Sequence, residues 1–203
     1  MIDAASLPYL DTIRAESELR WGVPAPVPVI TAQIAQESRF DPGARSPVGA
    51  MGIMQFMPAT AKWAGPASGY GVFNPLDPVM SIKAGVWYDR WLYDRVQAPK
   101  TSCDRWLFTL SAYNGGERWV QKRQSLSTDP GSWAATGPIN PGITENNQAE
   151  NSQYGPRIVY VLQPKFVALG QPVCIRVEPL PIVLIADPVK TKTKSWFSRL
   201  FGG

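Results

Sequence analysis

The feature that most constrains this chain is a helix signal that recurs along it. Apolar residues fall at spacings of three and four, and each run is bounded by Pro, Gly or a short polar residue. Residues 8–20 predict a first helix with Leu10, Ile13 and Leu19 inward, broken by the Pro-rich stretch 23–28. A second helix begins near Pro28, which suits a first helical turn, and runs to Asp41-Pro42-Gly43. Pro58 opens a short helix through Trp63, closed at Gly65, and 65–78 reads as loop. Asp77 caps a long helix with Pro78 at its first position, on which Met80, Ala84, Trp87 and Trp91 share a face. Ser102 caps the next, where Trp106, Leu107, Leu110 and Tyr113 recur helically, and Gly115-Gly116 leads into a short helix with Trp119 and Val120. Residues 125–146 read as a long loop and 148–163 as a last helix, in spite of Gly155-Pro156. After Pro172 the pattern changes to β-branched runs, 173–177 and 182–185, which predict one or two extended segments. The expectation is a mainly α domain with short appendages, and 203 residues suffice to bury its core.

The absence of histidine narrows the chemistry. It excludes a Ser-His-Asp triad, a Cys-His dyad and His-ligated zinc. Two cysteines cannot form a four-thiolate metal site, so reactivity falls to carboxylates, amides, hydroxyls, Lys or Tyr. Cys103 and Cys174 are read either as one disulfide or as buried thiols. Lys190, Lys192, Lys194 and Arg199 carry the whole net charge of +4, and residues 1–189 balance 16 basic against 16 acidic side chains. A neutral body argues against a nucleic-acid-binding domain. The longest uncharged stretches, 21–36 and 46–61, are too short and too rich in Pro and Gly to span a bilayer. The first ten residues hold Asp3 and no basic group, unlike a secretory signal. Within 190–203, Trp196, Phe197, Leu200 and Phe201 lie at helical spacing beside the four basic residues, a composition suited to contact with an anionic polymer or membrane surface, or to a disordered terminus.

Glu37 is the most informative residue. It extends the stripe Val27, Ile30, Ile34 at the same spacing, so a carboxylate projects from an apolar helix face. Without a partner such a group tends to keep its proton, as a glycosidase acid must; paired with an Arg, or at a helix end reaching water, it is merely structural. The following segment is uncharged and punctuated by Gly: Ser46-Pro47-Val48-Gly49-Ala50, then Gly52-Ile53-Met54-Gln55. Gln55 offers a donor and an acceptor suited to sugar hydroxyls and acetamido groups. Ala112-Tyr113-Asn114-Gly115 alone would pass as a helix terminus. Of the eight Trp, Trp87, Trp91, Trp106 and Trp119 read as core, and Trp63 and Tyr70 as candidates to stack on sugar.

In combination these motifs resemble the soluble lytic transglycosylases of glycoside hydrolase family 23, which share the goose-type lysozyme fold. Glu37-Ser38, Ser46–Ala50, Gly52–Gln55 with Pro58 and Thr60-Ala61, Asn74-Pro75, and Ala112-Tyr113-Asn114 occur in the family's order. The last motif is matched by Glu150 and Tyr154, with Asn151 in place of Thr and Gly155 in place of Val. The match covers roughly 27–162, and the divisions expected are an N-terminal helical extension (1–26), a catalytic domain (27–167) and a C-terminal extension (168–203).

The resemblance implies that Glu37 is the sole catalytic acid/base. It implies that Ser38, Ser46, Met54, Gln55, Tyr113, Asn114, Glu150 and Tyr154 bind substrate, with Met54 packed beneath the site and Glu150 and Tyr154 at the cleft floor. The implied reaction cleaves the bond between N-acetylmuramoyl and N-acetylglucosaminyl residues of peptidoglycan and closes a 1,6-anhydro ring, with no metal or cofactor. Two alternatives stand beside it. One is a goose-type lysozyme that uses water, with Asp41 or Asp77 as its second acid. The other is a catalytically weak peptidoglycan-binding virion component. The expected setting is periplasmic or wall peptidoglycan, reached by a monomeric bacteriophage lysis or virion enzyme through a holin or the particle, with a truncated bacterial periplasmic enzyme as the alternative.

Overall fold

The computed structural model describes residues 3–174, and these are mainly helical. A 3-10 turn, Ala4–Tyr9, leads into α1 (Leu10–Trp21), followed by α2 (Val27–Glu37), α3 (Pro58–Ala67), α4 (Pro78–Arg95), α5 (Ser102–Gly115), α6 (Glu117–Leu126), α7 (Trp133–Thr136) and α8 (Glu145–Arg157). A π turn, Ile158–Leu162, and a 3-10 turn, Gln163–Leu169, follow α8. Among the described residues β pairing is limited to isolated bridges, Arg45 with Met51 and Met51 with Phe56. The extended segments expected over 173–177 and 182–185, and the basic tail, lie outside the described residues except for Val173 and Cys174.

Local chemistry sets the helix boundaries. Pro28 and Pro58 sit in the first turns of α2 and α3, where a missing N–H costs nothing. Asp77 accepts the N–H groups of Val79 and Met80 at 3.0 and 3.1 Å and starts α4. The cap of α5 is Thr101 rather than Ser102: its hydroxyl accepts from Asp104 N at 3.0 Å. Three helix ends depart from expectation. α2 stops at Glu37, well before the Pro42 turn. α3 runs past Gly65 and Pro66 to Ala67. α8 starts earlier than expected, at Glu145, where Thr144 caps it by accepting from Asn147 N. Past Pro156, which has no N–H to give, the helix widens into the π turn.

α2 lies at the centre. Val27 through Ile34 are all buried, as expected for a helix enclosed on every side. α1 and the last 3-10 turn pack on it, α4 packs on α1 and α5, and α8 on α5. Full burial of an Ile such as Ile30 or Ile34 contributes roughly 1.5–3 kcal/mol. On α1 the inward residues are Ile13, Glu16 and Ser17, so Leu19 faces solvent instead of the core. Glu16 is held there by Arg20 at 2.7 Å and by the hydroxyl of Tyr70 at 2.5 Å. On α4 Ser81, Ile82, Ala84, Val86 and Asp89 are fully buried, so of the face chosen by periodicity Ala84 is core while Met80, Trp87 and Trp91 lie on its flank. Trp106 is core, whereas Trp87, Trp91 and Trp119 are half-buried.

Segment 125–146 is not a free loop. It contains α7, and Trp133 is buried with its ring edge-on to Phe108. Trp133 N donates to Asp104, and Lys100 pairs with Asp129 at 2.6 Å. Cys103 and Cys174 form a disulfide that ties the start of α5 to the chain beyond the last 3-10 turn. No described helix is long and apolar enough to cross a membrane.

Candidate active site

Glu37 is the last residue of α2 and opens into a cleft of about 500 Å³. The cleft is walled by the 46–57 loop on one side and by the end of α5 with Glu150 and Tyr154 of α8 on the other. The buried stripe Val27–Ile34 anchors α2 and so places its terminal carboxylate in the cleft. Tyr154 of α8 is buried and donates its hydroxyl to Glu37 Oε1. Burial pushes the pKa of Glu37 up to about 7; the Tyr154 hydrogen bond opposes this, and the charge of Glu150 adds to it. The group is therefore largely protonated just below neutral pH and can both give and take a proton there.

The loop is held by its own backbone. Met51 and Phe56 exchange N–H···O bonds at 2.9 Å each way, and Gly52 N donates to Ala44 O at 2.9 Å. Gly52 has φ +77°, and a Cβ there would lie 1.7 Å from Pro75 O, so only Gly fits. Gln55 lines the cleft, but its Nε2 is committed to Gly52 O (2.8 Å) and Ala44 O (3.2 Å). Its Oε1 remains, so it faces a ligand as an acceptor rather than as donor and acceptor together.

The other predicted residues divide. Ser46 lines the cleft, and its hydroxyl accepts from Ala50 N at 2.9 Å. Ser38 does not line it: its hydroxyl donates to Ile53 O at 2.9 Å and pins the loop to the end of α2. Met54 is fully buried beneath, against Gly85 of α4, and its carbonyl accepts from Tyr113 Oη at 2.8 Å. Asn114 lines the cleft and donates Nδ2 to Glu150 Oε1 at 3.1 Å. Glu150 is exposed, on the rim rather than the floor; Tyr154 is the floor. Asp41 accepts from Gly43 N, Asp77 caps α4, and neither lines the cleft. Tyr70 is bound to Glu16 and Arg20 away from the cleft; Trp63 packs on Trp87, Tyr88 and Trp91 and is not in the cleft wall.

Sequence reasoning missed Tyr88, Asp89 and Arg123. Tyr88 lines the cleft from α4, beside Tyr113. Asp89 is fully buried behind it, accepts from Gln33 Nε2 at 3.1 Å, and is held well above the usual carboxylate range by burial, with the Gln33 hydrogen bond opposing and the charge of Glu37 adding. A polar residue at a buried position of α4 was the one signal available for it.

The sequence and the fold agree on a class. Residues 15–135 match the Transglycosylase SLT domain, and the chain belongs to that family. It is 31% identical over 130 residues to the membrane-bound lytic murein transglycosylase F of Shewanella sediminis, an overlap of 62% of this chain and 26% of that protein. A second such protein, from Alkalilimnicola ehrlichii, is 31% identical over 134 residues, 64% of this chain and 28% of that protein. The chain thus spans about a quarter of the length of these relatives. The 70 kDa soluble lytic transglycosylase in complex with bulgecin A superposes with a TM-score of 0.63 at 25% identity, over 80% of this chain and 24% of that one. The lytic transglycosylase Slt of Pseudomonas aeruginosa, as an inactive mutant, gives 0.60 at 25% identity, over 80% and 25%.

Proposed function

We propose that this chain is a peptidoglycan lytic transglycosylase with Glu37 as its single general acid/base. The observation that carries the reading is a carboxyl able to hold its proton to about pH 7, set in a cleft where exposed Glu150 is the other acidic lining residue among those described. Its family membership and the names of its relatives support the same substrate.

In this reading Glu37 gives its proton to the glycosidic oxygen as the bond from C1 of the N-acetylmuramoyl residue breaks. The N-acetylglucosaminyl residue leaves as an alcohol. The oxocarbenium-like centre is relieved by the substrate's own acetamido oxygen. Glu37, now ionised, removes the proton of the C6 hydroxyl, whose oxygen bonds to C1. No water is consumed, and an intramolecular nucleophile has a high effective concentration. Tyr154 keeps its O–H on Glu37 and stabilises the ionised form between the two steps. Gln55 Oε1, Ser46, Tyr113, Asn114 and Glu150 line the glycan path, over Met54. The catalytic unit is residues 27–167, flanked by 1–26 and 168–203. The substrate is periplasmic or wall peptidoglycan, and a bacteriophage setting with surface contact by 190–203 completes the proposal.

Mass spectrometry of muropeptides released from purified sacculi tests it. The expected products end in 1,6-anhydro-N-acetylmuramic acid, one water lighter than hydrolysed ones and without a reducing end. Reducing-end muropeptides as the primary product would reassign the site to a hydrolase.

A further inference from the structure

Arg123 of α6 is fully buried, and among the described residues no carboxylate faces it. Its guanidinium is spent on neutral acceptors. Nε donates to Ile139 O (3.0 Å), Nη2 to Gln148 Oε1 (2.6 Å), and Nη1 to Ser111 Oγ (3.0 Å) and Asn151 Oδ1. A cation buried without a counter-ion is costly, and a structural core would be served as well by an apolar side chain.

Donor-only chemistry gives this arrangement a direction. Arg123 cannot accept a hydrogen bond, so Asn151 must turn its oxygen inward. Asn151 Nδ2 is then left to donate to Ser111 O (2.9 Å) and to Asn114 Oδ1 (2.8 Å). Asn114, its oxygen engaged, has only Nδ2 to offer the cleft, and that group meets Glu150 at 3.1 Å. The chain is built for this reach: a Cβ on Gly115 would come within 2.5 Å of Asn151 Nδ2.

We propose that Arg123, acting through Asn151, is a positioning residue that sets the polarity of the Asn114–Glu150 pair. The pair then presents an N–H donor beside carboxylate acceptors to the acetamido and hydroxyl groups of a bound glycan. The inference rests on the glycan-cleft reading above.

Two substitutions separate polarity from packing. Asn151→Asp loses the donation to Ser111 O but gives the buried Arg123 a carboxylate counter-ion that offsets the loss, and it demands a donor from Asn114. The Asn114 amide turns over and puts its oxygen against Glu150. Arg123→Lys keeps a donor-only cation, and hence the polarity, while losing most of the bonds. Both are made in the Glu37→Gln background, and affinity for a soluble peptidoglycan tetrasaccharide is measured by calorimetry beside thermal melts. The expected result is a Kd raised tenfold or more by Asn151→Asp with the melting temperature retained, and a lowered melting temperature with Kd within about twofold for Arg123→Lys. An Asn151→Asp protein that binds as tightly as its parent, or is unfolded, overturns the inference, as does a parent that binds no tetrasaccharide. Binding without cleavage by the native chain overturns the lyase reading and leaves this one standing.

Discussion

At the scale of a residue, the chemistry turns on where Glu37 holds its proton. Its folded pKa, about 7, lies above the ordinary 4.5, because burial outweighs the hydrogen bond from Tyr154. The acid form starts the reaction, so turnover of soluble fragments is expected to hold at acid pH and fall as pH rises through about 7. A rate that climbs through neutral pH would contradict the assignment. The same shift weakens the fold. As pH rises from 4.5, the unfolded chain releases this proton before the folded one does, so stability falls until about pH 7 and then levels. Glu37→Gln removes that loss along with turnover. It is expected to be more stable than the native chain at pH 8, by about 3 kcal/mol, with little difference at pH 4. Denaturant melts at the two pH values check it; an equal difference at both would show that Glu37 ionises normally in the folded state.

At the scale of elements, α2 and α4 meet through an unusual pair. Gln33 Nε2 donates to Asp89 Oδ1, while Gln33 Oε1 and Asp89 Oδ2 have no partner. A proton on Asp89 Oδ2 would satisfy both orphan atoms at once, which agrees with its raised pKa. Asn in place of Asp89 carries the same donor and acceptor without ionising. Asp89→Asn is therefore expected to match the native chain near pH 3 and to exceed its stability increasingly as pH rises past about 4, since only the native chain must hold that proton against the solvent. Urea melts across pH 3–8 measure this, and a variant less stable at neutral pH would mean that Asp89 is ionised there. Such pairs explain what the sequence concealed. The α2 stripe was legible because Val27, Ile30, Ile34 and Glu37 obey one local period, and Pro28, Pro58 and Asp77 mark helix starts through their own backbone chemistry. Most of the cleft was legible too, because its motifs are contiguous. Asp89 was not, since the large Trp87 and Trp91 drew the face of α4 toward themselves though they lie on its flank. Arg123 was not, because its partners come from α5, α8 and the 125–146 segment, and no spacing links them. Ser38 was found, but its hydroxyl is claimed by Ile53 O outside the cleft, and Gln55 was found in the cleft with only its oxygen left for a ligand; residue type alone reveals neither.

At the scale of the whole molecule, the described chain is closed on itself by the Cys103–Cys174 disulfide, which spans 71 residues of sequence. That loop holds α5 through α8 and every residue of the far cleft wall, including Tyr113, Asn114, Glu150 and Tyr154. A cross-link over so long a loop acts largely by restricting the unfolded chain, and its removal is expected to cost roughly 2–4 kcal/mol. It does not reach the chemistry. The bond sits at the first turn of α5, and the cleft residues lie at the other end of that 14-residue helix, about 15–18 Å away at 1.5 Å per residue. Within the folded state the wall is held by other means: Tyr113 on Met54 O, Asn151 on Ser111 and Asn114, and Trp133 against Phe108. The double variant Cys103→Ser, Cys174→Ser is therefore expected to melt well below the native chain while keeping its turnover of soluble glycan at temperatures where both are folded. Calorimetric melting and turnover measured on the same preparations decide the point. A loss of turnover beyond the loss of folded protein would mean that the disulfide shapes the cleft itself, and an unchanged melting temperature would mean that the bond does not constrain the unfolded chain.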